Sequence, residues 1–460
     1  MIVLSSDQVV KDLMDKRSNI YSDRPDMYFL QIIGGGNRFL SMPYGDTWRL
    51  LRKLCHTPLN INTAKFYVPY QDLESKMLLD GMLQNPQLWI EHIKRYSHSI
   101  MTQMLFGFRT TSMDDPKRNA LYHVVESMSE VLGSSTGAVL EVYPLARKLP
   151  DFMLPEKKHA KKLHEAERSL FVGMWLDAKR AVLGGTSKPC FSRDLVQNQL
   201  AYGISEELCG WTVGTLLEAG SDTSANTLMG FIQAMILFPS VQKQAQEELD
   251  RVCGDARLPT MEDMDDLPYI HACVKESLRW MPTAILGAPH KVMQDNEYMG
   301  YHIPAGASVT CNVWAIHMDE KRHPCPREFD PLRYIHDPKS SYESATSADA
   351  SQRDHFVFGT GRRLCQGMHV ADRTLHLAVS RLLWAFNIDK ALDDDGREVV
   401  PDPERLTQGF ILHPEPFPAS ITPRSEKHAV LLRKDWEACQ QLLDQRKQWI
   451  HLPEGLGSKK

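Results

Sequence analysis

The residues of this chain best suited to chemistry lie in one string, Phe358-Gly359-Thr360-Gly361-Arg362-Arg363-Leu364-Cys365-Gln366-Gly367. Three glycines around a single cysteine let backbone amides approach the sulfur closely and hold it as a thiolate. The residues that follow, Met368 to Phe386, read as a helix, so its positive dipole end falls beside Cys365. Such a site suits a thiolate metal ligand. A structural cysteine buried in a glycine-rich turn is the alternative that the bare Gly-x-x-x-Cys-x-Gly fragment leaves open.

Three further spacings matter. In Ala219-Gly220-Ser221-Asp222-Thr223, a hydroxyl able to donate and a carboxyl able to relay protons lie side by side, with Gly220 expected to let a ligand press against the backbone. Glu276 and Arg279 stand at i and i+3, where opposite charges meet on a helix. Trp48 and Arg52 stand at i and i+4 on one helical face. Alone, these are a local hydrogen bond, a surface ion pair and an amphipathic basic helix.

Together they are more specific. The cysteine string resembles the haem-binding signature of cytochromes P450, Phe-x-x-Gly-x-Arg-x-Cys-x-Gly, at Phe358, Gly361, Arg363, Cys365 and Gly367. The resemblance implies haem b (iron protoporphyrin IX) with Cys365 as the axial metal ligand, Phe358 near the sulfur and Arg363 on a propionate. Glu276 and Arg279 look like the family's Glu-x-x-Arg motif, completed by Arg333 as a structural triad; Leu332 stands where the family more often has Glu. Trp48 and Arg52 resemble the Trp-x-x-x-Arg helix that holds one propionate, and His290 falls where relatives hold the other. Asp222 and Thr223 match the oxygen-activating pair of the long central helix. The resemblance implies substrate contacts from Phe29 to Met42, Leu216, Ala219, Thr283 to Gly287 and Gly409 to Leu412. The wording around Gly287 to Lys291 and Asn312 to His317 resembles fungal enzymes of secondary metabolism.

The elements that must position these groups are mostly helical. Ser205 is a good N-cap for a helix of about 33 residues ending at Pro239, apolar on more than one face and thus buried, with a kink or opening plausible at Ala219 to Thr223. A second helix is predicted from Ser240 to Gly254, and a third from Leu267-Pro268 to Pro282. Strands are short: Ile2 to Leu4, Tyr298 to Ile303 and Val309 to Cys311. Pro338 to Asp354 and Gly184 to Ser192 read as loops. The fold class is mainly α with minor β, a P450 fold in a single large haem domain over 1–426, followed by a C-terminal extension over 427–460.

Composition bounds the function. The 460 residues include 53 Lys+Arg and 58 Asp+Glu, a formal net charge of −5, which excludes a basic field for nucleic acid. Nine cysteines, an odd number, do not read as a disulfide framework. No window of about 20 apolar residues can span a membrane. The resemblance implies a monooxygenase that inserts one atom of O₂ into a small lipophilic molecule, fed from NADPH by a separate cytochrome P450 reductase that docks at Lys53 and Arg362. A haem-thiolate isomerase or dehydratase working without O₂, and a non-catalytic haem-containing fragment, are the rivals. It also implies that the membrane anchor and first strand of endoplasmic-reticulum relatives precede Met1, leaving Ile2 to Leu4 as an edge.

Overall fold

The computed structural model describes residues 1–453. Helix covers 59% of the chain and strand 8%, so the mainly α class holds. The elements that frame the site are helices α1 (Asp46–Leu59), α2 (Trp89–Phe106), α3 (Pro116–Gly133), α4 (Pro155–Leu183), α5 (Glu206–Leu237), α6 (Pro268–Trp280), α7 (Met368–Ala385) and α8 (Glu426–Gln440).

α5 is the axis of the molecule. Ser205 accepts a hydrogen bond from the Leu208 amide at 3.1 Å, and Glu206 and Glu207 occupy the positive first turn. The helix then runs for 32 residues without interruption. Ala219 to Thr223 therefore stays helical rather than opening, and the Thr223 hydroxyl donates to the Ala219 carbonyl at 2.7 Å. Glycines set how close its neighbours come: a Cβ on Gly214 would lie 2.0 Å from the Phe171 ring of α4, and one on Gly220 would lie 2.3 Å from Met101 Sδ of α2. The missing Cβ of Gly220 thus makes room for Met101 of α2.

The next helix spans Pro239–Val252 with Phe238 at the N-cap; Ser240 sits inside it because Pro239 takes the first turn. The expected loop over 338–354 contains two short helical turns, Ser341–Ala345 and Ala350–Gln352.

Strand β1 (Ile2–Leu4) is an edge, pairing in parallel with β5 (Ser308–Cys311), which pairs antiparallel with β2 (His290–Lys291). β3 (Asn296–Tyr298) and β4 (Tyr301–Ile303) form a hairpin. A third sheet, ordered β7 (Glu398–Val399), β6 (Phe386–Leu392), β8 (Ala419–Pro423), was not legible in the sequence. β6 continues directly from α7, so no turn residue marks the change of period.

After β8, α8 buries Leu432, Trp436 and Cys439 in the same main core as α2, α5 and α7. The following residues return as well: Trp449 Nε1 donates to Gln103 Oε1 at 2.7 Å, and Gln448 Oε1 accepts from the Arg109 amide at 2.8 Å.

Candidate active site

The cysteine string folds as a tight loop ending on α7. The Cys365 amide donates to the Phe358 carbonyl at 2.8 Å, closing the loop across its own length. Gly361 has φ +58°, a left-handed conformation that suits glycine, and a Cβ there would meet the Met14 carbonyl oxygen at 2.1 Å. Its amide donates to Asp15 Oδ1 at 2.7 Å, tying the loop to the N-terminal segment. Gly367 is the N-cap of α7. The Phe358 ring packs edge-on against His355, with centroids 5.3 Å apart.

Cys365 is surrounded by protein yet retains accessible surface, so its sulfur faces an internal space rather than packed side chains. Burial pushes the thiol up; the Gly367 amide, the Arg52 charge and the Met368 amide oppose that by favouring the thiolate. None of the nine cysteines is in a disulfide. An internal space is also implied on α5, where Ala219 is exposed and Gly220, Asp222 and Thr223 are part-exposed midway along a helix otherwise buried over most of its length.

Cations converge beside this loop. The Arg363 guanidinium lies 4.1 Å from the Trp48 ring centroid, and that of Arg52 lies 5.6 Å from it. Arg363 donates to the Ser22 and Met42 carbonyls, both at 2.9 Å, and Arg52 to the Leu364 carbonyl. Arg24 joins them; it donates to the carbonyls of Leu40 at 2.9 Å, Ala288 at 2.9 Å and Pro289 at 2.6 Å. His290 is buried, its Nδ1 2.6 Å from the Tyr21 carbonyl.

The nearby carboxylate, Asp23, is already paired with Lys291 at 2.6 Å. Burial, then repulsion from Arg363 and Arg52, drags the Arg24 guanidinium down to about 9. Burial likewise lowers Arg363 to about 10, with Arg52 adding to the effect, and burial with Arg24 takes His290 down to about 3. So much positive charge, bonded to neutral carbonyls and short of carboxylates, is stable only against an anion. A thiolate donor beside a cradle for negative charge fits a haem and its two propionates.

The predicted residues thus come together: Trp48, Arg52, His290, Arg363 and Cys365 do so directly, held by Phe358, Gly361 and Gly367. The charged triad assembles too. Arg279 donates to both Glu276 oxygens, at 2.7 and 2.6 Å, and Arg333 Nε lies 3.4 Å from Glu276 Oε1. Glu276 and Arg279 are fully buried. Arg24 was missed. Asp23-Arg24-Pro25 carries no spacing signal, and only the folded chain brings Arg24 to Arg363.

On α5, Asp222 Oδ2 accepts from Asn226 at 3.0 Å. Burial and the charge of Glu218 raise its carboxyl to about 6, against opposing help from Lys94 of α2 and the Asn226 bond. Of the stretches expected around a substrate, Thr283 and Leu412 are joined by a 2.7 Å backbone bond. Phe29, Leu30 and Ile33 instead bury in a separate cluster with Met128, Val131 and Leu163.

Comparison with known proteins agrees with this geometry. The cytochrome P450 family pattern matches residues 1–420. The chain is 51% identical to cytochrome P450 monooxygenase virE of Hypocrea virens, covering 99% of this chain and 83% of that protein. It is 49% identical to cytochrome P450 monooxygenase fsoB of Humicola fuscoatra, covering 99% and 84%. A zebrafish cytochrome P450 solved with progesterone shares the fold at a TM-score of 0.73 and 24% identity, covering 92% of this chain and 93% of that one. This chain belongs to the cytochrome P450 family. It is an enzyme of the P450 monooxygenase class, a family that carries haem and draws electrons from a redox partner.

Proposed function

We propose that the chain oxidises a small lipophilic substrate of fungal secondary metabolism, using O₂ and electrons from NADPH through a separate reductase. The observation that carries this reading is Cys365: an accessible thiol inside the protein, with two amides directed at it and an anion-seeking cluster beside it. Cys365 would hold the iron of haem b as its thiolate, and Arg24, Arg52, His290, Arg363 and the Trp48 indole would hold its propionates. The haem, when bound, supplies the activation of oxygen.

This chain's own residues supply protons, orientation and dryness. Asp222, near 6 and one residue from Thr223, can take and release a proton at neutral pH. The Thr223 hydroxyl, now spent on the Ala219 carbonyl, is a donor that can turn toward the pocket. Leu216 and Ala219 on α5, with Thr283 to Gly287 and Gly409 to Leu412, would line an apolar substrate space. Lys53 and Arg362, both exposed, are the charges proposed for reductase docking. Among the described residues no single helix is long and apolar enough to cross a membrane; endoplasmic-reticulum association is carried over from the family.

The test is the reduced CO-difference spectrum of the haem-loaded chain. A thiolate-type band lost in Cys365→Ala is expected, and an unchanged band in that variant would remove the ligand assignment. Turnover with neither O₂ nor reductase would select isomerase chemistry instead.

A further inference from the structure

Between the short helix Tyr28–Gly34 and α1, the chain touches both halves of the site. Its first half is fixed to α4 and α5. Arg38, 2% exposed, donates one guanidinium nitrogen to Glu167 of α4 and the other to Glu218 of α5, and stands 5.8 Å from the Trp211 ring centroid. Glu218 directly precedes Ala219, where α5 faces the internal space. His164 of α4 adds a second hold, its Nδ1 2.8 Å from the Ile33 carbonyl oxygen. The second half is fixed to the cation cluster. The Leu40 carbonyl accepts from Arg24 and the Met42 carbonyl from Arg363, both at 2.9 Å. The Phe39 ring stacks on Trp48 with centroids 6.2 Å apart, and the Tyr44 amide donates to Asp23 Oδ1 at 2.7 Å.

A hydrogen-bonded turn joins the two sets of contacts. The Ser41 amide donates to the Arg38 carbonyl at 3.2 Å, so Arg38 and Leu40 belong to one unit. Movement at either end is carried across that turn to the other. The two holds differ in kind. Freeing Arg38 would strand its own buried charge, that of the wholly buried Glu167 and that of Glu218, 14% exposed, which keeps this end firm. Arg24 and Arg363 are bonded to neutral carbonyls, so the anion that compensates them also sets where Leu40 and Met42 lie. The tether is firm at Arg38 and conditional at the cluster.

We propose that Arg38 is a positioning residue that couples the two halves of the site. Seating of the propionates on Arg24 and Arg363 fixes the turn from Arg38 to Met42, and Arg38 passes that order to α4 and α5 beside Ala219, where the substrate space would lie. Loading of haem and closure of the substrate space are then one linked equilibrium, in which each favours the other by the same factor. The inference rests on the reading of Arg24 and Arg363 as holders of the propionates.

The experiment uses the full chain loaded with haem and first checked for the thiolate-type CO spectrum. Amide hydrogen exchange is followed in the parent chain, Arg38→Met and Arg24→Gln. Each substitution should loosen the far end as well as its own: Arg38→Met should speed exchange of the Tyr44 amide, and Arg24→Gln that of α4 around Glu167, by about tenfold or more. Transfer of haem to an acceptor protein gives the second readout. Arg24→Gln should speed haem loss by about tenfold in the parent chain but by less than about threefold in Arg38→Met, where the turn is already free. In Glu276→Gln, which weakens the fold elsewhere, the Arg24 factor should stay as it is in the parent chain. Should Arg38→Met fail to load haem, the triple variant Arg38→Met, Glu167→Gln, Glu218→Gln leaves no charge of this cluster stranded and carries the same expectations. Where Arg24→Gln speeds haem loss, an equal factor in the parent and Arg38→Met backgrounds overturns the coupling. An Arg24→Gln chain that keeps haem as the parent does would instead remove the propionate reading, and the exchange result then decides the tether alone. Exchange that changes only at the substituted end overturns it in either case.

Discussion

Arg363 stacks its guanidinium 4.1 Å from the ring centroid of Trp48. One comes from the cysteine loop and the other from α1, so this contact joins the two segments that must close on the same anion. It does so without neutralising the guanidinium, because an indole face attracts positive charge but carries no net charge to cancel it.

Arg24 is the residue of this cluster that the sequence did not mark, and its removal tests the anion site most cleanly. Arg24→Gln keeps donors for some of the three carbonyls it serves but loses the charge. The expected outcome is haem loss on dialysis faster by about tenfold or more, the scale of one charge-assisted contact. Spectral titration of the stripped protein with haem gives the affinity. Equal affinity in parent and variant would remove Arg24 from the site.

Glu276→Gln should destabilise the fold more than any surface charge change. The substitution leaves Arg279, fully buried, without its charged partner, though the carbonyls of Pro326 and Glu328 still accept from it at 2.8 and 3.1 Å. A loss of about 3 kcal/mol is expected, at the lower end for breaking a buried pair because those carbonyls remain. A urea midpoint within error of the parent chain would show that the triad contributes nothing to stability.

Gly361→Ala is expected to disturb the cysteine loop at a distance from the cysteine. The added Cβ meets backbone, at 2.1 Å from the Met14 oxygen, so no side-chain rotation relieves it, and φ +58° disfavours alanine as well. Gly359 has φ +73°, but a Cβ there finds its nearest neighbour at 3.8 Å. Gly359→Ala should therefore load more haem than Gly361→Ala, as read from the ratio of haem absorbance to protein; the reverse order would show that backbone strain outweighs the clash.

What the sequence disclosed and what it hid follow from the range of the interactions. The cysteine string, the Glu276–Arg279 pair and the Trp48–Arg52 pair are local patterns, each carried on a single loop or helix, and the fold brings their members to one another as their spacing suggests. Arg24 is defined only by tertiary approach, since its partners lie on other segments. The role of Gly220 in helix packing was hidden for the same reason: a small residue on a helix admits whatever stands opposite, and Met101 is visible only after folding. The β6–β8 pairing was hidden because β6 begins where α7 ends, in an apolar run that suits either period.

Asp222→Asn separates stability from activity. A carboxyl raised from 3.8 to about 6 contributes stability that is fully present below its unfolded value and lost as pH rises through its folded one. Above that range the folded chain must ionise a group which its surroundings resist. Replacing it by a neutral amide removes that cost, so the variant should be the more stable protein by about 2 kcal/mol near pH 8, a figure reduced from the full shift because Asp222 is partly reached from the pocket. The gap should close as pH falls from about 6 towards 4, where the parent carboxyl is protonated in the folded chain. Oxygen-dependent turnover should fall at the same time by about a hundredfold, since the amide cannot relay a proton. Melting temperatures of both proteins across that range decide the matter. A stability difference that does not change with pH would mean that Asp222 is ionised throughout, and would leave it unfit as a proton carrier at neutral pH.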